Sequence, residues 1–216
     1  MAANFDFIAS YYDSLSRLVF GDSIHRSQMQ FLNTIPENSK VLIIGGGSGR
    51  FLKDLLLKFQ VRNVLYVEHS AEMIRLSKKA IVNIQGSSAV QFRHGTEEDL
   101  KADEVFDVVI TPFIFNLFER KQLSAFAGKL NLHLKQGGIW LFSDFKISEN
   151  RFHKVWQKLL LKTMYIFFKY IAGLKNSRLE KFDDAFNEMG LVKMEDRFFY
   201  AGMIYSAWYR KSLEQL

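Results

Sequence analysis

The segment from Val41 to Phe59 constrains this chain more than any other. A continuous apolar run, Val41-Leu42-Ile43-Ile44, ends at Gly45-Gly46-Gly47-Ser48-Gly49, and helical spacing of apolar residues then runs from Phe51 to Phe59. A short unbroken apolar run suits a strand buried on both faces. A glycine-rich turn into a helix places backbone N–H groups where a ligand can approach closely. The same alternation continues without the glycines. Val64–Val67, Val90–Arg93, Val105–Ile110 and Ile139–Phe142 read as strands, the last entered through Gly137-Gly138. Helical spacing covers Ala71 to Val82 and Lys121 to Leu134. Strands and helices in strict alternation predict an α/β chain with a parallel sheet covered on both sides. Residues 5–34 read as helix with a break near Gly21-Asp22-Ser23, and residues 151–173 and 178–189 are also helical in pattern. Val192–Tyr200 and Met203–Arg210, separated only by Ala201-Gly202, predict a tight antiparallel hairpin. No repeat, low-complexity tract or linker divides the chain, so residues 1–216 are expected to form one domain.

Composition removes several classes of function. With 48% hydrophobic residues and 21 Phe, the chain is neither disordered nor fibrous. It has no cysteine, which excludes disulfides, thiolate metal sites and a cysteine nucleophile. His25, His69, His94, His133 and His153 show no metal-ligand spacing, so no metal site is expected. The start, MAANFDFIAS, has no basic and apolar leader pattern, and no apolar run reaches the ~20 residues of a membrane span. A cytoplasmic protein is the expectation. The net charge is +6, but residues 151–179 hold seven basic residues and no acid, which leaves the rest close to neutral. That distribution argues against a nucleic-acid groove along the whole sheet edge.

The glycine spacing is informative. Gly45, Gly47 and Gly49 form G-x-G-x-G, while the dinucleotide fingerprint needs Gly or Ala where this chain has Arg50. No Gly-Lys-Ser/Thr follows, so the turn is not a P-loop. Glu68 ends the second strand, 19 residues past Gly49, where an acid can accept hydrogen bonds from ribose hydroxyls.

VLIIGGGSGRFL followed by VLYVEHSAEMI resembles the class I S-adenosylmethionine (SAM)-dependent methyltransferases. FRHGTEEDL resembles their adenine-holding segment, FDVVITPFIFNLF the segment beside the methyl group, and LKQGGIWLFSDF their fifth-strand motif. The N-terminal FDFIASYYDSL…FGDSIHR is similar to the ubiquinone/menaquinone-biosynthesis type of small-molecule methyltransferase. The resemblance implies a Rossmann-like, doubly wound sheet of seven strands with the last one antiparallel, N-terminal helices, and a helical cap inserted after strand five. It divides the single domain into an N-terminal helical segment (1–35), a SAM-binding core (40–145), a cap (150–190) and a C-terminal hairpin (191–211). The implied SAM contacts are Gly45, Gly46, Gly47, Gly49, Glu68, His69, Met73, Thr96, Glu97, Thr111, Pro112 and Phe113. Two departures stand out: Ile43 replaces the usual acid two residues before the first glycine, and Thr96 replaces the usual Asp of the adenine segment.

Methyl transfer from a sulfonium is an in-line displacement that depends mainly on alignment, so it needs no obvious catalytic constellation. A general base matters for a hydroxyl or acidic carbon more than for an amine. His153, Asp144 and Tyr12 are the candidates, each weighed against a structural or solvated role; His133, on a helix face read as exposed, is expected to be bland. Thr111-Pro112-Phe113 lacks the N/D-P-P-Y/F pattern of amino-methylating nucleic-acid enzymes. The turn also resembles that of polyamine synthases, but Thr111-Pro112 stands where a polyamine needs carboxylates. The expected reaction is methyl transfer to a small, largely apolar acceptor, aromatic or lipid-like. The alternatives are a degenerate relative that holds SAM or a lipid without turnover, and a nucleic-acid methyltransferase.

Residues 151–179 remain open between three readings. Lys154, Lys158, Lys162 and Lys169 share one helical stripe beside a wide apolar face with aromatic residues. That pattern fits a cap over an apolar substrate, a transient membrane-surface contact, or core packing with a solvated lysine edge.

Overall fold

The computed structural model describes residues 9–146, 156–160 and 182–213. Helices α1 (Ala9–Phe20) and α2 (Ser23–Met29) precede the alternating core. It runs through β1 (Lys40–Ile44), α3 (Arg50–Lys58), β2 (Asn63–Glu68), α4 (Ala71–Ile81), β3 (Val90–His94), β4 (Phe106–Pro112), α5 (Arg120–His133) and β5 (Leu134–Phe145). A helical stretch at 156–160 (α6), then α7 (Asp183–Glu188), β6 (Leu191–Phe199) and β7 (Ile204–Lys211), follow. The seven strands form one sheet in the order β3-β2-β1-β4-β5-β7-β6. Strands β1 to β5 pair in parallel, and β7 runs antiparallel to both neighbours, β5 and β6. The expected doubly wound sheet with its reversed last strand is therefore present. The hairpin is also present, closed by the four residues 200–203.

The unbroken apolar runs become strands buried on both faces because the side-chain period of two splits each run between two cores. Leu42 and Ile44 of β1 join Leu65, Val67, Val109, Trp140 and Phe142 on the α5/α7 side. Val41 and Ile43 join Val64, Tyr66, Val108, Ile110 and Leu141 on the α3/α4 side. Helix α5 contributes Leu123, Phe126, Ala127 and Leu130, the i, i+3, i+4, i+7 spacing of one face. Two details differ from the sequence reading. Strand β5 begins at Leu134, directly after α5, so Gly137 and Gly138 lie within it rather than in a preceding turn. His133 is buried, not exposed, and its Nδ1 lies 2.6 Å from the Glu104 carbonyl.

Of the segment 150–190 expected to form a cap, residues 156–160 and 182–190 are described, the latter holding α7. The buried Gln157 donates to the Ala201 carbonyl at 2.9 Å, and Lys158 is exposed. The other stripe lysines, most of the cap and His153 lie outside the described residues. Among the described residues no helix is long and apolar enough to cross a membrane.

Aromatic packing locks α7 onto the sheet. Phe186 is fully buried, stacked on Tyr209 at 4.3 Å and Phe115 at 5.5 Å, with Trp140 and Phe142 edge-on. Phe186→Ala is expected to cost about 3–5 kcal/mol of stability. Urea unfolding followed by circular dichroism checks this; a loss below about 1 kcal/mol would mean that α7 does not carry the core.

Candidate active site

The switch in strand order between β1 and β4 opens a crevice at the carboxyl ends of these two strands, the usual ligand position in a doubly wound sheet. The glycine turn fills one side. Glu68, at the end of β2, accepts hydrogen bonds from the Gly47 N–H at 3.1 Å and the Ser70 N–H at 3.0 Å. The Gly47 carbonyl accepts from the Tyr66 hydroxyl at 2.8 Å and the Ser77 hydroxyl at 2.7 Å. One glycine is thus gripped by β2 and α4 through both sides of its backbone. Gly47 has a φ of +69°, and a Cβ added there would meet nothing within 4 Å. Its neighbours are glycines for a different reason. A Cβ on Gly46 would lie 2.5 Å from the Tyr66 ring, and one on Gly49 2.5 Å from the Ser77 Cα. Gly49 caps α3 without a side-chain bond, so the first-turn N–H groups of α3 receive no side-chain cap. Burial pushes the Glu68 carboxyl above its ordinary range, opposed by the backbone N–H groups around it.

The β2 and β3 ends form the adjoining wall. His69 is exposed, and its carbonyl lies 2.8 Å from His94 Nε2. Met73 is buried in the first turn of α4, its N–H held by the Ser70 hydroxyl at 3.1 Å. Thr96 starts a short 3₁₀ turn as half of a capping box with Asp99, so its hydroxyl oxygen already accepts from the Glu98 N–H. Glu97 is partly buried, which raises its carboxyl pKa.

The end of β4 faces the glycine turn. The Thr111 hydroxyl is fully buried and accepts from the Trp140 indole at 2.8 Å, so its side chain belongs to the core. Pro112 closes the strand, and Phe113 adopts a φ of +56°, uncommon for a bulky residue and a mark of local strain. Its N–H donates to the Ser143 carbonyl at 2.7 Å and its ring meets Phe145 edge-on at 5.1 Å. Phe113 also packs on a cluster of Phe20, Phe145, Met203 and Ile204. Asp144 is fully buried: it accepts from Asn116 N–H at 3.1 Å, Asn116 Nδ2 at 2.6 Å and Phe145 N–H at 2.7 Å. Burial, outweighing these bonds, pushes its pKa up to about 6. The side chain of Tyr12, like His153, lies outside the described residues. Ile43 is buried in the α3/α4 core, where an ionised acid would need a partner of its own.

Tyr66, Ser77 and Asn116 were absent from the sequence reading, since nothing local marks a residue whose partner is 19 to 30 positions away. The pKa of Asp144 predicts the sign of its pH effect. Its folded value, about 6, lies above the ordinary 3.8, so the folded chain binds this proton more tightly than the unfolded one. The stability it confers is complete below pH ~4 and lost as pH rises through about 6, on the order of 3 kcal/mol in all. Denaturant unfolding of wild type across pH 4 to 7 should show this fall, and Asp144→Asn should remove it whatever its overall offset. An unchanged slope in the variant would assign the effect to another group.

A family described as "Methyltransferase domain" matches residues 41–138. Among curated proteins, the polyamine aminopropyltransferase of Pyrobaculum aerophilum is 32% identical over 145 residues, 61% of this chain and 47% of that protein. The polyamine aminopropyltransferase of Prochlorococcus marinus is 39% identical over 62 residues, 29% of this chain and 22% of that protein. The chain thus spans less than half the length of these curated relatives. Similar solved structures include a chain from the complex that holds the Haloferax volcanii Trm112 methyltransferase activator, with TM-score 0.72, 15% identity and coverage of 98% of this chain and 97% of that one. The DhpI–SAH (S-adenosylhomocysteine) complex has TM-score 0.68, 16% identity and coverage of 97% and 94%. The N-methyltransferase NodS of Bradyrhizobium japonicum WM9, in complex with SAH, has TM-score 0.65, 12% identity and coverage of 89% and 87%. Residues 41–138 thus match a methyltransferase-domain family, and the chain shares the Rossmann-like fold of these SAH-bound structures.

Proposed function

We propose that this protein transfers the methyl group of SAM to a small, largely apolar acceptor. The observation that carries the reading is the Glu68–Gly47–Ser70 arrangement: a carboxylate at a strand end beside a glycine that no described residue overhangs. The residues fit the cofactor. The two carboxylate oxygens of Glu68 together offer about four lone pairs, more than the backbone N–H groups of Gly47, His69 and Ser70 take up, which leaves acceptor capacity for a ribose hydroxyl. Gly47 admits close approach, and His69, Met73, Thr96 and Glu97 line the adenine side. No acid stands at Ile43, so the first-turn N–H groups of α3 and the glycine backbone hold the methionine end. SAM supplies an electrophilic methyl group that an acceptor takes by in-line displacement. The chain's part is to align the acceptor and exclude water. Phe113 and the cluster of Phe20, Phe145 and Met203 supply the apolar wall. Asp144 is not the base in this reading, because its carboxylate is fully buried and occupied by N–H donors. Alignment alone then suffices, as it does for an amine acceptor.

Aminopropyl transfer is the second reading, favoured by the 145-residue match to a polyamine aminopropyltransferase. A cationic polyamine needs carboxylates at the acceptor side. Here Thr111-Pro112-Phe113 occupies that place, with the Thr111 hydroxyl committed to Trp140.

Calorimetry with SAH tests the proposal. Wild type should bind with micromolar Kd, Glu68→Ala should bind at least ~10-fold more weakly, and Leu132→Ala on an exposed face of α5 should bind as wild type does. No binding by folded wild type at millimolar SAH would sink the reading. Equal Kd values for all three proteins would remove Glu68 from the site.

A further inference from the structure

Phe113 holds a backbone conformation that a phenylalanine rarely adopts, and the bonds that keep it there come from β5. Its N–H is tied to the Ser143 carbonyl, and its own carbonyl accepts from Asn116 Nδ2 at 3.4 Å. Asn116 is in turn held through both its backbone N–H and its side-chain amide by Asp144. Strain of this kind persists only where the surroundings over-determine it. Between Phe113 and Asn116, Ile114 lies over the first glycine of the turn: a Cβ on Gly45 would come within 2.7 Å of Ile114 Cδ1. The carboxylate of β5 is therefore connected, through the 113–116 loop, to the glycine turn after β1. Nothing else in the chemistry of the site uses Asp144 or Asn116.

We infer that Asp144 and Asn116 are positioning residues that hold the loop after β4 against the glycine turn, fixing Phe113 and Ile114 at the edge of the cofactor site. The inference rests on the methyltransferase reading only for the identity of the ligand. Asp144 accepts and Asn116 donates, so the pair acts as a unit and removing either partner frees the loop. With the loop free, Phe113 relaxes out of the left-handed region and Ile114 leaves Gly45. The glycine turn keeps its Glu68 contacts but loses the wall facing it. Binding is then weakened without disruption of the sheet.

The test compares Asn116→Ala, Asp144→Ala, the double variant, and Ile81→Ala, a change at the end of α4 in the core cluster that holds none of residues 113–116. SAH affinity is read by calorimetry and amide exchange by NMR on the same samples. Each single variant should lose at least ~10-fold in SAH affinity, and the double variant no more than ~3-fold beyond the worse single. Ile81→Ala should lower Tm and stay within ~2-fold of wild type in SAH affinity. The Phe113 and Asn116 amides should lose protection in the loop variants while those of β1 and β4 keep theirs. SAH affinities tracking Tm alone, or loop amides as protected as in wild type, would overturn the inference. Should wild type not bind SAH at all, the functional reading fails, and the exchange data still decide whether the pair orders the loop. Should Asp144→Ala not fold, Asn116→Ala and Asn116→Asp, which sets a second carboxylate against the first, carry the same comparison.

Discussion

Most of the site is arranged around the carboxylate of Glu68. It receives the N–H of Gly47 from the turn after β1 and the N–H of Ser70 from the start of α4, and so joins two βα connections. Tyr66 and Ser77 close the arrangement from the other side of the Gly47 peptide. The carboxyl is buried, which raises its pKa and makes each remaining lone pair a strong acceptor for a polar group. Glycines at 46 and 49 are then a packing requirement, since any side chain there would collide with the residues that grip Gly47. The loop that faces a ligand is rigid because its backbone bonds are made before the ligand arrives, which reduces the ordering cost of binding.

The other half of the crevice follows a different logic. At the ends of β4 and β5 the side chains are aromatic and apolar, and the polar groups are turned inward. Thr111 bonds to Trp140 and Asp144 to Asn116. The polar groups around Glu68 and the apolar side chains around Phe113 thus lie on opposite sides of the switch between β1 and β4.

Much of this was legible in the sequence, and the reason is locality. The strand–turn–helix order, the glycine spacing and the acid at the end of β2 are each confined to a few residues, and periodicity reads them directly. The expected sheet, its reversed last strand and the hairpin all follow from such signals. The rest depends on contacts between distant positions. His133 looks exposed on a helix projection but is buried against the carbonyl of Glu104, 29 residues earlier. Asp144 was visible as an acid at a strand end, but its burial and its bonds to Asn116, 28 residues earlier, are visible only in the fold. Gly137 and Gly138 read as a turn but lie inside β5, because helix α5 passes into that strand without a loop. The roles of His153, of Tyr12 and of most of the lysine stripe rest on side chains outside the described residues.

Amide chemical shifts of the folded protein, followed during titration with SAH, test the central claim most directly. A ligand held by Glu68 and the glycine turn must perturb Gly45 to Gly49 and Glu68 to Ser70, with saturation at one equivalent, and leave the β6–β7 hairpin unchanged. Saturable shifts confined to any other surface, or no shifts at millimolar SAH, would contradict the account.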